Sequence, residues 1–192
     1  MTDLLKIFLQ SMLVDNVVFA QYLAICPFIG MTSETDKATG MGLATTFVIV
    51  LATAVTWPLY KLVMVPLGLG FLQTLMFILV IASLVQLVEF YLKKSAPALY
   101  SSMGIFLSLI TTNCAVLGIT INCIGKGYNY GESLVYALGS ASGFLIAMVV
   151  MSGVRSKLKI ADVPASFKGT PILYVAAGLL SLAFLGFKGL IK

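Results

Sequence analysis

Histidine is absent from this 192-residue chain, tryptophan occurs once and cysteine three times. Without imidazole, the usual His-based metal sites and general bases are excluded. Three cysteines are too few for a disulfide framework. Charge is also scarce. Charged residues make up 10% of the chain, where a soluble domain carries about 25%. Apolar residues (AVILMFWYC) make up 60%, so the polar surface that a soluble domain needs is missing. A soluble globular domain, a disordered tail and a disulfide-rich secreted module are therefore excluded. The net charge of +5 does not point to nucleic acid, because the twelve Lys and Arg are scattered at the ends of apolar runs.

What the chain has is long apolar runs. A spanning helix needs about 20 mostly apolar residues, and six stretches qualify: 4–29, 40–63, 70–92, 98–122, 131–154 and 170–190. The first has only Lys6 before its apolar run and no A-x-A cleavage site, so it reads as a retained helix and not a signal peptide. Turn and charge signals separate the runs: Thr32 to Lys37, Pro66-Leu67-Gly68, Lys93-Lys94, Gly125-Lys126-Gly127, and the long connection from Arg155 to Pro171. Period-two alternation is absent, which argues against a β-barrel. The expected fold is an all-α integral membrane protein with six transmembrane helices.

Six spans put both termini on one side. Lys37, Lys93, Lys94, Arg155, Lys157, Lys159 and Lys168 fall in one set of loops, against Lys6, Lys61, Lys126, Lys188 and Lys192 in the other set and the termini. The first set is the expected cytoplasmic side, with both termini facing outward.

The two halves match at an offset of 97, which lays Asn16 over Asn113. Gly42-Leu43-Ala44-Thr45-Thr46-Phe47-Val48-Ile49 lies over Gly139-Ser140-Ala141-Ser142-Gly143-Phe144-Leu145-Ile146, and Ser11 to Asn16 over Ser108 to Asn113. One residue of slip adds Ile7-Phe8-Leu9 over Ile105-Phe106-Leu107. The halves are 1–97 and 98–192, each with three spans. An odd number of spans inverts the second copy, about a pseudo-twofold axis in the membrane plane. The repeat also aligns two polar interruptions, Asp15-Asn16 in the first span and Thr111-Thr112-Asn113 in the fourth. Polar groups at that depth are costly unless paired or lining a protected site. Asn, Asp and Thr are also helix-capping residues. The expectation is two broken spans, with half-helices starting at or just after Asn16 and after Asn113. Unbroken spans joined by interhelical hydrogen bonds are the alternative.

Cys26 opens Cys26-Pro27-Phe28-Ile29-Gly30, and Cys114 follows Asn113. If Asn113 caps a half-helix, Cys114 is its first residue, where the dipole and free N–H groups favour a thiolate. Cys123 is the repeat mate of Cys26. The plain reading of all three is small buried hydrophobes. The other is a metal. Without histidine the soft ligands are thiolates, and an iron–sulfur cluster takes four cysteines, or two with two histidines. Two or three from this chain leave the rest to a second chain, with the cluster at a subunit interface near the midplane. Asp15 is the deeper candidate for an ion-linked carboxylate, while Glu89 is expected to pair with Lys93 four residues on. Gly139 and Gly143 form a small-xxx-small face suited to close helix packing.

Cys26 to Gly30, Met41 to Phe47, Leu109-Ile110-Thr111-Thr112-Asn113-Cys114-Ala115-Val116-Leu117-Gly118 and Ala161 to Gly169 resemble one family over the whole chain. Its members are the A subunit of the Rnf complex and the E subunit of the sodium-pumping NADH:quinone reductase, and Cys-Pro-Phe with Thr-Thr-Asn-Cys is more like the Rnf member. The resemblance implies a membrane subunit of a redox-driven ion translocase that passes electrons between ferredoxin and NAD, coupled to Na⁺ or H⁺ movement. It implies a homologous, inverted partner of the E-subunit type. Two cysteines from each chain would hold one intramembrane 2Fe–2S cluster, which by position are Cys26 and Cys114 here. Cys123 is outside the family pattern. The chain has no nucleotide fingerprint, no flavin-attachment motif and no Cys-x-x-Cys run, so NAD, flavin and ferredoxin chemistry is expected on the other subunits, of B, C, D and G type. The implied location is the bacterial cytoplasmic (inner) membrane, with no nucleic-acid partner. The rival from another class is a secondary transporter or channel without a redox cofactor, which accounts for inverted repeats but gives paired cysteines no purpose. An assembly scaffold without a cofactor is a third reading.

Overall fold

A computed structural model describes residues 2–68, 70–95, 109–110, 112–162, 164 and 167–186. Ordered in sequence, the helices are α1 (Thr2–Leu9), α2 (Ile25–Met31), α3 (Thr35–Leu59), α4 (Gln73–Ser95), α5 (Cys114–Gly125), α6 (Tyr130–Leu158) and α7 (Thr170–Leu185). Two of them run on into π-helical turns, α1 through Gln10–Val14 and α3 through Tyr60–Met64. No strand occurs among the described residues. Among the described residues three helical stretches are long and apolar enough to cross a membrane: Thr35–Met64, Gly70–Tyr91 and Tyr130–Leu158. Cys114–Gly125 and Thr170–Leu185 are apolar but shorter. The expected start of the fourth span, the repeat segment at 105–108 and Thr111 lie outside the described residues, as does the side chain of Lys93, the partner expected for Glu89.

α3 stays regular despite its many hydroxyls because those in its interior bond back into their own helix. Thr45 donates to the Met41 carbonyl (2.8 Å), Thr46 to Gly42 (2.7 Å), Thr53 to Ile49 (2.9 Å) and Thr56 to Ala52 (2.6 Å). Such groups can be buried without seeking another helix. α6 starts on a reciprocal cap, with the Asn129 backbone N–H donating to Glu132 Oε2 at 3.0 Å.

α3 and α6 pack along their lengths and form the centre of the molecule, and α5 and α1 dock against them. Met41, Ile49, Ala137, Ala141, Phe144, Met148 and Met151 are fully buried between them. The outer faces are apolar as well, with Leu75, Ile78, Leu79, Leu87 and Phe90 of α4 exposed. That surface suits hydrocarbon and not water.

The expected close packing at Gly139 and Gly143 is present. A Cβ on Gly143 would stand 2.7 Å from the Met12 carbonyl oxygen, and one on Gly139 would fall on Ser11 Oγ and 2.8 Å from the Phe8 carbonyl oxygen. These two glycines let α1 and its π-helical turn lie directly on α6.

Candidate functional site

The first apolar run is interrupted at its polar pair, but not as the sequence suggests. After Val14 the chain runs through overlapping turns, with Ala20 N–H donating to the Asn16 carbonyl at 2.9 Å, Tyr22 N–H to Val18 at 3.2 Å and Leu23 N–H to Val17 at 3.0 Å. Regular helix returns only at Ile25, so no half-helix runs on from Asn16. The cause is local. Tyr22 (φ 56°) and Ala24 (φ 61°) both adopt left-handed backbone conformations, which strain a residue carrying Cβ. No glycine marks the place, so composition gives no signal for it. Surrounding contacts hold the turn. Ser181 of α7 donates to the Phe19 carbonyl (2.6 Å) and lies 2.9 Å from the Tyr22 hydroxyl, which donates back. The Phe19 ring stacks on Phe184 at 4.5 Å and meets Phe28 edge-on at 5.7 Å.

The two aligned asparagines do the same local work. Asn16 Oδ1 accepts the N–H of Val18 (3.0 Å), and Asn113 Oδ1 accepts the N–H of Ala115 (3.0 Å). Asn113 is the N-cap of α5 and Cys114 its first residue, as the motif predicts. The amides differ at their other ends. Asn16 Nδ2 donates to the Gly143 carbonyl (3.0 Å) and to Met12 (3.3 Å), tying the interruption to α6. Asn113 Nδ2 is buried with no hydrogen-bond partner among the described residues. Replacing Asn113 with alanine removes the cap and is expected to destabilise by about 1 kcal/mol. Thermal unfolding of the detergent-solubilised protein should show it as a drop of about 2–4 °C, with Asn113→Ser retaining the wild-type midpoint more closely.

The cysteine-bearing helices meet. Cys114 Sγ accepts the backbone N–H of Ala24 at 2.9 Å, two residues before Cys26. The segment around it follows α5. A Cβ on Gly118 would come 2.5 Å from Leu23 Cδ1, and Asn122 Nδ2 donates to Gln21 Oε1 at 2.9 Å. Cys26 is exposed and Cys114 half-buried. Cys123 sits apart. It lies nine residues further along α5, about 13 Å of helix rise from Cys114, and is buried with its thiol donating to the Ser133 carbonyl at 3.7 Å. Among the described residues no three Cys, Asp or Glu side chains gather at one point. Cys114 Sγ thus lies against the residue two before Cys26, and Cys123 has no part in that contact.

Asp15 has a partner the sequence did not indicate. Its carboxylate accepts a hydrogen bond from Lys126 Nζ at 2.7 Å, with the two side chains a quarter and a third exposed. The ammonium also stands over the Tyr136 ring (4.7 Å to the centroid). Burial works to lower the Lys126 pKa, but the hydrogen bond to Asp15, the Asp15 charge and the neighbouring tyrosines together outweigh it and hold the pKa above its ordinary value. The basic C-terminal end of α6 also turns inward. Arg155 Nη1 donates to the Ile29 carbonyl (2.7 Å) and Lys159 Nζ to the Ser33 carbonyl (3.1 Å). Only their count in a loop was legible in the sequence.

A family profile described as "Rnf-Nqr subunit, membrane protein" matches residues 4–191. From Syntrophotalea carbinolica, the A subunit of the ion-translocating oxidoreductase complex is 52% identical over 191 residues, spanning 100% of this chain and 99% of that protein. The protein of the same description from Azoarcus sp. is 50% identical over 190 residues, spanning 99% and 98%. Its counterpart in Yersinia enterocolitica is 48% identical over 192 residues, spanning all of both chains.

Proposed function

Since this chain belongs to the Rnf-Nqr family of membrane subunits, we propose that it is the A-type subunit of an ion-translocating ferredoxin:NAD oxidoreductase complex. In this reading Cys26 and Cys114 supply two of the four thiolates of an intramembrane 2Fe–2S cluster. A homologous, inverted subunit of the E type supplies the other two. The observation that carries it is the contact of Cys114 Sγ with the Ala24 N–H, which sets the starts of α2 and α5 side by side.

The residues present fit such a group. Two thiols lie on adjacent segments, one exposed and one half-buried, as a site completed by another chain requires. The Ala24 N–H donates to the sulfur of Cys114, and the helix dipole at the first residue of α5 favours negative charge there. Asn113 keeps that helix start in place by accepting from Ala115. Leu23, pressed onto Gly118, and the buried Val116 and Ile119 keep water from the inner side. When bound, a cluster here supplies a one-electron carrier partway across about 30 Å of hydrocarbon.

The remaining architecture follows the same reading. Six spans form two inverted three-helix repeats, 1–97 and 98–192, in the bacterial cytoplasmic membrane with both termini outside. The matched Oδ1 bonds of Asn16 and Asn113 support the repeat. Electron flow through the complex is coupled to Na⁺ or H⁺ movement, with Asp15 as the ion-linked carboxylate, released from Lys126 during the cycle. Flavin, NAD and ferredoxin sites belong to the B-, C-, D- and G-type subunits.

Iron analysis and low-temperature EPR of the purified complex test the assignment. A rhombic 2Fe–2S signal that cannot be assigned to the soluble subunits is expected. A complex whose iron and EPR signals are all accounted for by those subunits leaves a transporter or scaffold role instead.

A further inference from the structure

The helix that carries Cys26 is short and ends on backbone carbonyls that need donors. α2 spans Ile25–Met31, so its last four carbonyls have no partner within the helix. The partner comes from the far end of α6. Arg155 Nη1 donates to the Ile29 carbonyl at 2.7 Å and to Thr32 Oγ1 at 3.4 Å, and the Thr32 hydroxyl itself donates to the Phe28 carbonyl at 2.8 Å. The same face of α6 holds the following turn: Ser152 Oγ lies 3.1 Å from Thr35 Oγ1, and Lys159 Nζ donates to the Ser33 carbonyl. At its other end, α2 is reached through Ala24 by the sulfur of Cys114. α2 is thus clamped at its start by α5 and at its end by Arg155.

We propose that Arg155 is a positioning residue for Cys26. It fixes α2 by capping its C-terminus and places a permanent positive charge beside the redox site, which raises the site's reduction potential. This rests on the reading of Cys26 as an iron ligand. Ile29, which Arg155 holds, is three residues from Cys26, about 4.5 Å of helix rise. A guanidinium is suited to the task because it stays charged and the two N–H groups of its Nη1 point to both acceptors. A unit charge at about 10 Å in a partly buried site favours the form carrying one more electron by about tenfold.

The test uses the assembled complex with Arg155→Gln and Arg155→Lys. Two quantities are followed: the midpoint of the membrane cluster in an EPR-monitored redox titration, and amide hydrogen exchange over residues 25–33. R155Q is expected to lower the reduced-to-oxidised ratio at fixed potential about tenfold, about 59 mV for a one-electron couple, and to speed exchange. R155K should recover most of the midpoint, because the charge remains, while exchange stays faster than wild type because the lysine nitrogen sits one bond short of the position Nη1 takes at the Ile29 carbonyl. A wild-type midpoint in R155Q, or wild-type exchange in both variants, overturns the proposal. If R155Q does not assemble, R155K decides: fast exchange supports the clamp and wild-type exchange overturns it. A wild-type complex with no membrane 2Fe–2S signal fails the ligand reading and the tuning role with it, whereas the exchange measurement still reports on the clamp.

Discussion

If Cys26 and Cys114 are cluster ligands as proposed, Cys26→Ser and Cys114→Ser are each expected to remove the membrane 2Fe–2S signal from the assembled complex and to bring ferredoxin-to-NAD electron transfer to background. This is the largest effect expected from any single side chain. A serine oxygen is a poor replacement for a soft thiolate ligand of iron. The two substitutions differ in what else they disturb. Cys26 is exposed, so its replacement should move stability by no more than about 0.5 kcal/mol, and a lost signal there reports the missing ligand. Cys114 also accepts the Ala24 N–H, so its replacement tests the ligand and the contact together. Cys123→Ala is the control. It removes a buried thiol that donates to Ser133, which should lower thermal stability and leave the EPR signal in place. Retention of the signal in C26S, or its loss in C123A alone, would reject the Cys26–Cys114 pair in favour of another.

The second large effect is structural. Gly143→Ala is expected to destabilise the protein by about 1–3 kcal/mol, and Gly139→Ala by a similar amount. The added methyl on Gly143 meets the Met12 carbonyl at 2.7 Å and Asn16 Nδ2 at 3.2 Å. The first is backbone and has little room to move. The second belongs to the amide that donates to the Gly143 carbonyl and ties the interrupted segment to α6. Overpacking therefore also breaks a buried hydrogen bond. Gly153, on the same helix, faces open space, and alanine there should gain about 0.5–1 kcal/mol through helix propensity. Thermal unfolding in one detergent compares the three. If G143A melts together with G153A, the close approach of α1 to α6 is not as described.

Several features of the site were legible without coordinates because they depend on neighbours in sequence. Asn113 caps a helix and Cys114 begins it, since a side-chain oxygen reaches the N–H two residues on wherever such a helix starts. Gly139 and Gly143, one turn apart, had to lie on one face, and that face is the contact with α1. The interruption after Val14 was legible in position but not in length. Asn16 forms its expected turn, but the chain then passes through left-handed Tyr22 and Ala24, a path stabilised by Ser181 and Phe184 of α7 and not by any local residue preference.

An all-helical, lipid-facing chain, the place of its polar interruptions and the residues that stand at helix starts could all be read along the chain. Each follows from composition or from spacings of two to four residues, where backbone geometry leaves few choices. Only the tertiary structure decided which of those residues meet. Ala24 and Cys114 are 90 positions apart, Asp15 and Lys126 are 111, and Ile29 and Arg155 are 126. Hydrogen bonds and ion pairs act over a few ångströms, so their partners are set by how α2, α5 and α6 pack and not by any pattern along the chain. Arg155 and Lys126 looked like ordinary loop cations for that reason. Folding turns one toward the helix carrying Cys26 and the other toward Asp15.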